Sequence, residues 1–222
     1  MPVVLFIKKI YWFLFRLFVP PICYSCSDYV EEGSILCEIC QSHVYPVAPL
    51  YKKVGSYKIG IYAFAKYHGP MRRMILSKKY GKRATFYGLA DLMWKQTIIR
   101  HLQVDCFVPV PLHWTRRLHR GFNQSEIIAE KLAGFLSVPV VSSVQRTKRT
   151  RFQSSLSKED RLKNVESVFA LSDKTDFENR HVVIVDDLFT TGATVLSLAR
   201  EIAKITKINK KCCKKQGLQY QM

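Results

Sequence analysis

The most chemically informative part of the sequence is the stretch from Val182 to Thr194. It begins with a short run of β-branched apolar residues, which is typical of a strand buried on both faces. Asp186 and Asp187 follow directly, so two carboxylates stand at the carboxyl end of the predicted strand. Open α/β sheets bind their ligands outside that end of their strands. The stretch therefore predicts a binding site, and its carboxylates suit either sugar hydroxyls, which donate hydrogen bonds to them, or a hydrated Mg²⁺.

The residues after the acid pair suit a phosphate group. A helix is predicted to begin at about Thr194, and a helix N-terminus offers unpaired N–H donors and the positive end of a dipole. Gly192 lets the backbone approach a ligand closely. The remaining candidate binding residues are Leu188, Phe189, Thr190, Thr191 and Ala193. The alternative is an acidic turn that only caps a helix, but the buried strand, the acid pair and Thr-Thr-Gly-x-Thr together favour a sugar-phosphate site.

Two arginine-rich segments can neutralise an anionic ligand. Arg116, Arg117 and Arg120 lie in a predicted basic loop, residues 112–120, after an apolar strand predicted at residues 106–110. Guanidinium groups in that position suit a pyrophosphate, although a solvated basic face or a DNA contact would have the same composition. Residues 145–163, which include Arg146, form a basic segment without glycine. This segment is either a lid that closes on substrate or an ordinary surface loop.

Four cysteines near the N-terminus form two Cys-x₂-Cys pairs, Cys23 with Cys26 and Cys37 with Cys40. This spacing predicts four thiolates around a tetrahedral structural Zn²⁺, the alternative being buried or redox-active cysteines. Because the protein would fill all four positions, the metal would have no open position for catalysis. The paired spacing and the odd total of seven cysteines also indicate a reducing, cytoplasmic compartment rather than disulfides.

The pattern of elements places these groups in an α/β domain. Apolar runs alternate with helical patterns from residue 105 onward, which predicts a mostly parallel sheet with helices on its faces. A strand hairpin and two helices are predicted before that point. The expected organisation is an apolar helix and four-cysteine zinc ribbon at 1–49, an α/β domain at 50–206, and a lysine-rich tail at 207–222. The tail lacks the apolar run of a further strand, and we expect it to be disordered.

The first 22 residues are strongly apolar, but Lys8, Lys9 and Arg16 interrupt the run. No uncharged apolar stretch of about 18 residues occurs, which argues against a transmembrane segment. Charges inside the run, rather than before it, argue against a signal peptide. We expect a helix that docks its apolar side on the main domain, with an interfacial membrane helix as the alternative.

The stretch from Val182 to Thr194 resembles the phosphoribosyl-pyrophosphate signature of type I phosphoribosyltransferases. Further motifs are similar to one branch of these proteins, the ComF (competence protein F) family. They are Val108-Pro109-Val110-Pro111, Arg116-Arg117, Arg120-Gly121-Phe122-Asn123-Gln124, the positions Arg146, Thr150, Gln153, Leu156, Arg161, Asn164 and Phe169, and the cysteine pairs. The resemblance extends to about Ala203. It implies a type I phosphoribosyltransferase-like parallel sheet with flanking helices and a small N-terminal zinc ribbon with four cysteine ligands.

The resemblance also implies residue roles. Asp186 and Asp187 would hold the ribose hydroxyls, and residues 187–194 would wrap the 5′-phosphate. Residues 111–120 would take the pyrophosphate, which Mg²⁺ accompanies, and residues 146–164 would be the lid, so the catalytic candidates are Asp186, Asp187 and Arg146. The implied reaction displaces pyrophosphate from the anomeric carbon through an oxocarbenium-like transition state. Such a step needs charge neutralisation and exclusion of water more than it needs a strong base.

Two classes of function fit the composition. The chain has 35 Lys and Arg against 17 Asp and Glu, a formal charge of +18 that favours polyanionic partners. The first class is a phosphoribosyltransferase that acts on phosphoribosyl pyrophosphate and an unidentified acceptor. The second is a non-catalytic accessory protein for single-stranded DNA uptake or DNA processing, with DNA-uptake proteins as partners. The missing strand in the tail counts against full catalytic competence.

Overall fold

The computed structural model describes residues 21–221 except 32, 55–56, 77–81, 113, 147–168, 173–176, 178–179, 190 and 206–218. The predicted N-terminal apolar helix and nearly all of the predicted lid therefore lie outside the described residues. Among the helices that are described, none has both the length and the apolar character needed to cross a membrane.

Helices and strands alternate along the described chain, which confirms the α/β class. They are α1 (Glu38–Ser42), β1 (Leu50–Val54), β2 (Tyr57–Tyr62), α2 (Gly69–Leu76), α3 (Arg83–Gln96), a 3₁₀ helix (Ile98–His101), β3 (Cys106–Pro109), α4 (Trp114–Arg120), α5 (Gln124–Leu136), β4 (Val144–Arg146), β5 (Phe169–Leu171), β6 (Val182–Val185), α6 (Ala193–Ile205) and β7 (Gln219–Gln221).

The main sheet has the strand order β1-β2-β7-β6-β3. The hairpin of β1 and β2 is antiparallel, and the other neighbours are parallel. In the β3–β6 pair Cys106 aligns with Val182 and Pro109 with Val185, and every residue of both strands is buried. Continuous apolar strands of this kind need cover on both faces. Strands β4 and β5 form a separate antiparallel pair.

The tail contains a strand that its sequence does not predict. Gln219–Gln221 forms β7, which lies between β2 and β6 and runs parallel to both. The expectation that no strand follows α6 is therefore wrong. Strand pairing satisfies backbone donors and acceptors whatever the side chains are, so a short polar segment can occupy such a place without an apolar pattern.

One local prediction also needs correction. The basic segment predicted as a loop forms helix α4 over Trp114–Arg120, because it contains no glycine or proline until Gly121, whose φ is +76°. Further along the chain, Val140 forms an isolated parallel bridge with Phe107 of β3. Helix α4 therefore replaces the expected loop directly after the β3 segment.

The described residues form two compact units, one built from residues up to 45 together with 66–88 and the other from 46–65 together with the residues from 89 onward. The core of the second unit gathers the buried sides of the sheet and of α6. Its fully buried members include Ile59, Cys106, Val108, Phe177, Ile184, Leu198 and Ile202.

Candidate functional sites

Strand β6 carries the acid pair to the carboxyl end of the parallel strands. The backbone N–H of Val110 donates to the carbonyl of Val185 at 2.8 Å, where the β3 segment and β6 end together. Asp186 and Asp187 follow at once, both partly buried. The N–H of Asp187 donates to Oδ1 of Asp186 at 2.9 Å. The Asp186 carboxylate is thus oriented by the backbone N–H of Asp187.

The first turn of helix α5 contacts the same carboxylate. Asn123 caps the helix, with its Oδ1 accepting from the Ser125 N–H at 3.2 Å and its Nδ2 donating to the Val110 carbonyl at 3.1 Å. The Ser125 hydroxyl donates to Oδ1 of Asp186 at 3.4 Å. Asn123 and Ser125 are only 5% and 2% exposed. Asn123 is thus the helix cap, and Ser125 in the first turn contacts the acid pair.

The surroundings of Asp186 do not favour its charge. Burial raises the pKa of the Asp186 carboxyl well above its ordinary value, and the negative charge of Asp187 raises it further. Hydrogen bonds from the Asp187 N–H and the Ser125 hydroxyl, and the positive charge of Arg146, act in the opposite direction. A ligand that brings hydrogen-bond donors or positive charge to this site will therefore stabilise the ionised Asp186 carboxylate.

Arg146 lies at the end of β4 and acts on the acid pair through its charge. Its guanidinium carbon is 5.9 Å from the ring centroid of Phe169 on β5. The side chains of Arg116 and Arg120 lie outside the described part of α4. Arg117 is 62% exposed and pairs with Glu126 on α5 at 3.4 Å. Among the candidate arginines whose side chains the structure describes, Arg117 and Arg146, the positive charge of Arg146 acts on Asp186.

The segment after the acid pair turns tightly into helix α6. Gly192 has a φ of +72°, and a Cβ there would lie 2.4 Å from Cζ of Phe189, a side chain that packs against the core. The N–H of Ala193 donates to the hydroxyl of Thr191 at 3.4 Å, and the N–H of Leu196 donates to the Gly192 carbonyl at 2.8 Å. Glycine is favoured at residue 192, since any side chain would meet both backbone strain and the Phe189 ring.

The four N-terminal cysteines converge in the other unit. Their sulfur atoms all lie within 4.8 Å of one another, and the sulfurs of Cys26 and Cys37 are 3.6 Å apart. None of the five described cysteines forms a disulfide. This set can hold a metal ion, as the paired spacing predicts. Cys106, which is buried in β3, is not one of these four cysteines.

Comparison with known proteins identifies the family. No family model matches the chain. The chain is 31% identical over 191 residues to the DNA utilization protein YhgH of Escherichia coli (strain K12), a match that covers 81% of this chain and 82% of that protein. The chain belongs to the ComF family. It is also 35% identical over 103 residues to Competence protein F of Haemophilus influenzae, and 36% identical over 93 residues to Competence protein ComFC of Bacillus subtilis.

The two competence proteins of the ComF family are matched over less than half of their length. The chain covers 45% of the Haemophilus protein and 36% of the Bacillus protein, with 46% and 42% of this chain matched. The match to the Escherichia protein extends over most of both chains.

Backbone donors surround the cysteine cluster of this ComF-family chain. The N–H of Ser25 donates to the sulfur of Cys23 at 3.4 Å, and the N–H of Cys40 donates to the sulfur of Cys37 at 3.5 Å. Ser27, with a φ of +68°, completes the turn after Cys26. Donors of this kind stabilise thiolates, so the turns are built for negatively charged sulfur.

The pKa values of two clustered thiols are shifted in opposite directions. Burial opposes ionisation of Cys23, but backbone donors, with that of Cys26 foremost, outweigh it and lower the pKa of Cys23 to about 6. At Cys26 the backbone donor of Asp28 lowers the pKa, whereas burial and the neighbouring thiols raise it, to about 12 overall. Four thiolates this close repel one another, and a divalent cation would remove that repulsion.

Two contacts tie the cysteine turns to the helices of their own unit. A Cβ at Gly88 on α3 would lie 2.3 Å from Cγ2 of Ile35, so this glycine lets the helix approach the segment between the cysteine pairs. The Nε of Arg73 on α2 donates to the Ser25 hydroxyl at 2.9 Å. The cysteine turns therefore contact residues of both α2 and α3.

Proposed function

We propose that this ComF-family protein acts in the uptake or use of DNA. The names of its relatives, which describe competence and DNA utilization, support this role. The formal charge of +18 also supports it, because a strongly basic chain attracts polyanions. In this proposal the protein is an accessory of DNA handling, whether or not it also catalyses a reaction.

We further propose that the site at the carboxyl end of β6 binds a 5-phosphoribosyl group, with phosphoribosyl pyrophosphate as the ligand. The observation that carries this proposal is the orientation of Asp186 by hydrogen bonds from both Asp187 and Ser125, beside a turn at Gly192 that leads into α6. Carboxylates held in this way accept hydrogen bonds from ribose hydroxyls, and the start of a 13-residue helix favours the 5′-phosphate.

The other residues take complementary roles in the proposal. Thr190 to Thr194 would line the phosphate, while Arg146 and the α4 arginines would neutralise the pyrophosphate. Mg²⁺, when bound with the ligand, would supply further positive charge at the leaving group. Transfer of the phosphoribosyl group to an acceptor is the finer part of the proposal. It would require these residues to hold the pyrophosphate as it leaves and to keep water away from the anomeric carbon.

Calorimetry measures ligand binding, and an assay for released pyrophosphate measures transfer. We expect the full chain to bind phosphoribosyl pyrophosphate in the presence of Mg²⁺ and to bind ribose 5-phosphate more weakly, because the latter lacks the pyrophosphate. Absence of heat with both ligands would contradict the pocket assignment. Release of pyrophosphate in the presence of a candidate acceptor would show transfer, whereas binding without release would leave the accessory role.

Changing Ser125 to alanine should weaken binding of ribose 5-phosphate about tenfold or more, since a hydrogen bond to a charged group is removed. It should also reduce the preference for ribose 5-phosphate over 2-deoxyribose 5-phosphate, because Ser125 acts by orienting Asp186 toward the sugar hydroxyls. Calorimetry with both sugars measures this preference. Ser197→Ala, which removes another buried hydroxyl from the same unit, serves as the control. Equal losses for both sugars in Ser125→Ala would indicate a purely structural role.

We also propose that the four N-terminal cysteines hold a structural Zn²⁺. The fit rests on their sulfur-to-sulfur distances and on the backbone donors at Cys23 and Cys37. Zinc prefers four such ligands in a closed tetrahedral site, where it contributes to folding rather than to catalysis. With all four ligands from the chain, the metal would fix the turns on which helices α2 and α3 pack.

A further inference from the structure

The hairpin of β1 and β2 has one face in the core and one face outside it. Ile59 and Ile61 of β2 are buried in the core of their unit. The residues that alternate with them along the strand point to the opposite side because side chains alternate across a strand. The register places Tyr51 opposite Gly60 and Lys53 opposite Lys58. The outer face therefore carries aromatic and basic side chains from both strands.

The outer face is organised by contacts among its own side chains. The ammonium of Lys58 lies 4.5 Å from the centroid of the Tyr51 ring. The Tyr62 ring lies against Gly60, where a Cβ would be only 3.0 Å from the ring and its hydroxyl. Burial, together with the neighbouring Tyr51 hydroxyl, raises the pKa of Tyr62 to about 12. Gly60 thus allows the two rings to share one face of the hairpin.

Part of this face is exposed, and the face carries no acidic side chain. Tyr51 is 57% exposed, and Lys53 and Lys58 are exposed as well. No acidic residue occurs anywhere between Leu50 and Tyr62. The strand β1 also lies at the edge of its sheet, with nothing in the strand order beyond it among the described residues. An exposed ring beside lysine ammonium groups is the combination that single strands require: bases stack on the ring, and phosphates contact the ammonium groups.

We propose that the outer face of the β1–β2 hairpin, formed by Tyr51, Lys53, Lys58, Gly60 and Tyr62, is a contact surface for single-stranded DNA. The choice of DNA rests on the proposed role in DNA uptake or use. The surface itself rests on the register and contacts above. Duplex DNA fits less well, because pairing and stacking hide the base faces that the Tyr51 ring would contact.

Fluorescence anisotropy of the full chain with a labelled oligothymidylate tests the surface. Tyr51→Ala should weaken binding about tenfold, while Tyr51→Phe keeps the ring and should bind nearly as well as the wild type. The double change Lys53→Gln and Lys58→Gln should weaken binding. It should also reduce the slope of log affinity against log salt by roughly 0.7 for each phosphate that the lysines no longer neutralise.

Matched variants distinguish DNA binding at the hairpin from a general effect of the positive charge of the chain. Lys95→Gln with Lys204→Gln removes the same charge from exposed positions on α3 and α6, and Tyr87→Ala removes another exposed ring. These variants should bind nearly as the wild type does. Equal weakening by the two lysine pairs, or no effect of Tyr51→Ala beyond that of Tyr87→Ala, would overturn the surface while leaving the DNA role intact. Absence of binding by the wild type would overturn both.

Discussion

Changing Asp186 and Asp187 together to asparagine should abolish binding of phosphoribosyl pyrophosphate. Each carboxylate is expected to accept a charge-assisted hydrogen bond from a ribose hydroxyl, and neutral amides cannot replace the charge. We expect affinity to fall by more than about 100-fold, since two such bonds weaken together. Calorimetry with Mg²⁺ present measures the effect. Asp91→Asn, at a carboxylate that pairs with Lys131 on the surface, should bind as the wild type does.

The same double variant should unfold at a higher temperature than the wild type at neutral pH. Because the pKa of Asp186 is raised in the folded state, the folded chain binds a proton more tightly than the unfolded chain. The free energy of unfolding contributed by this group therefore falls as the pH rises from about 4, the ordinary pKa of aspartate, through the raised value. Asparagine removes that penalty and keeps an oxygen that can accept from Ser125.

A thermal melt at several pH values checks this second effect. The difference between variant and wild type should grow as the pH rises from about 4, since it reflects ionisation of the wild-type carboxyl. A variant that loses both binding and stability would instead point to a misfolded loop. Binding that persists unchanged in the variant would contradict the role of the acid pair.

Removal of the metal should unfold the unit that contains the cysteines. Apparent binding free energies of structural zinc sites reach about 10 kcal/mol or more in small peptides, which exceeds what a unit of this size gains from its core. We expect Cys26→Ser with Cys37→Ser to lose zinc and to lower the melting temperature, as prolonged treatment with a strong chelator should for the wild type. Metal analysis and thermal melts measure both effects.

Cys106→Ala provides the matched control for the zinc prediction. It removes a cysteine that is buried in β3 and is not one of the four proposed ligands, so it should destabilise the chain while keeping its zinc. Acidification should also release the metal, because the thiolates must be protonated as it leaves. Less than about half an equivalent of zinc in wild-type protein from metal-replete cells would contradict a structural site with four cysteine ligands.

The buried strand, the cysteine turns and the α/β class could be predicted from short segments of the sequence. The β-branched run at Val182–Val185 forms the buried strand that carries the acid pair, because continuous apolar strands suit a covered parallel sheet. Each Cys-x₂-Cys turn brings its own pair of sulfurs together, and the two pairs meet in one cluster. The α/β class follows from the alternation of such segments.

Features that depend on distant pairing are not predictable in this way. Strand β7 has no apolar pattern, and its place is set by the backbone groups of β2 and β6. The contact of Ser125 with Asp186 joins residues 61 positions apart, so neither residue's neighbours in sequence indicate it. The outer face of the hairpin depends on the register that aligns Tyr51 with Gly60. Shifting that register by one residue would bring other side chains to the face.

The most direct test of the phosphoribosyl pocket follows the backbone amide signals of ¹⁵N-labelled protein during addition of phosphoribosyl pyrophosphate and Mg²⁺. If the pocket lies at the end of β6, the largest changes will fall on Asp187 and on residues 191–194, with smaller changes at Ser125. The cysteine turns should be unaffected. No change at these amides, or larger changes at the cysteine turns or the β1–β2 hairpin, would contradict the assignment of the site.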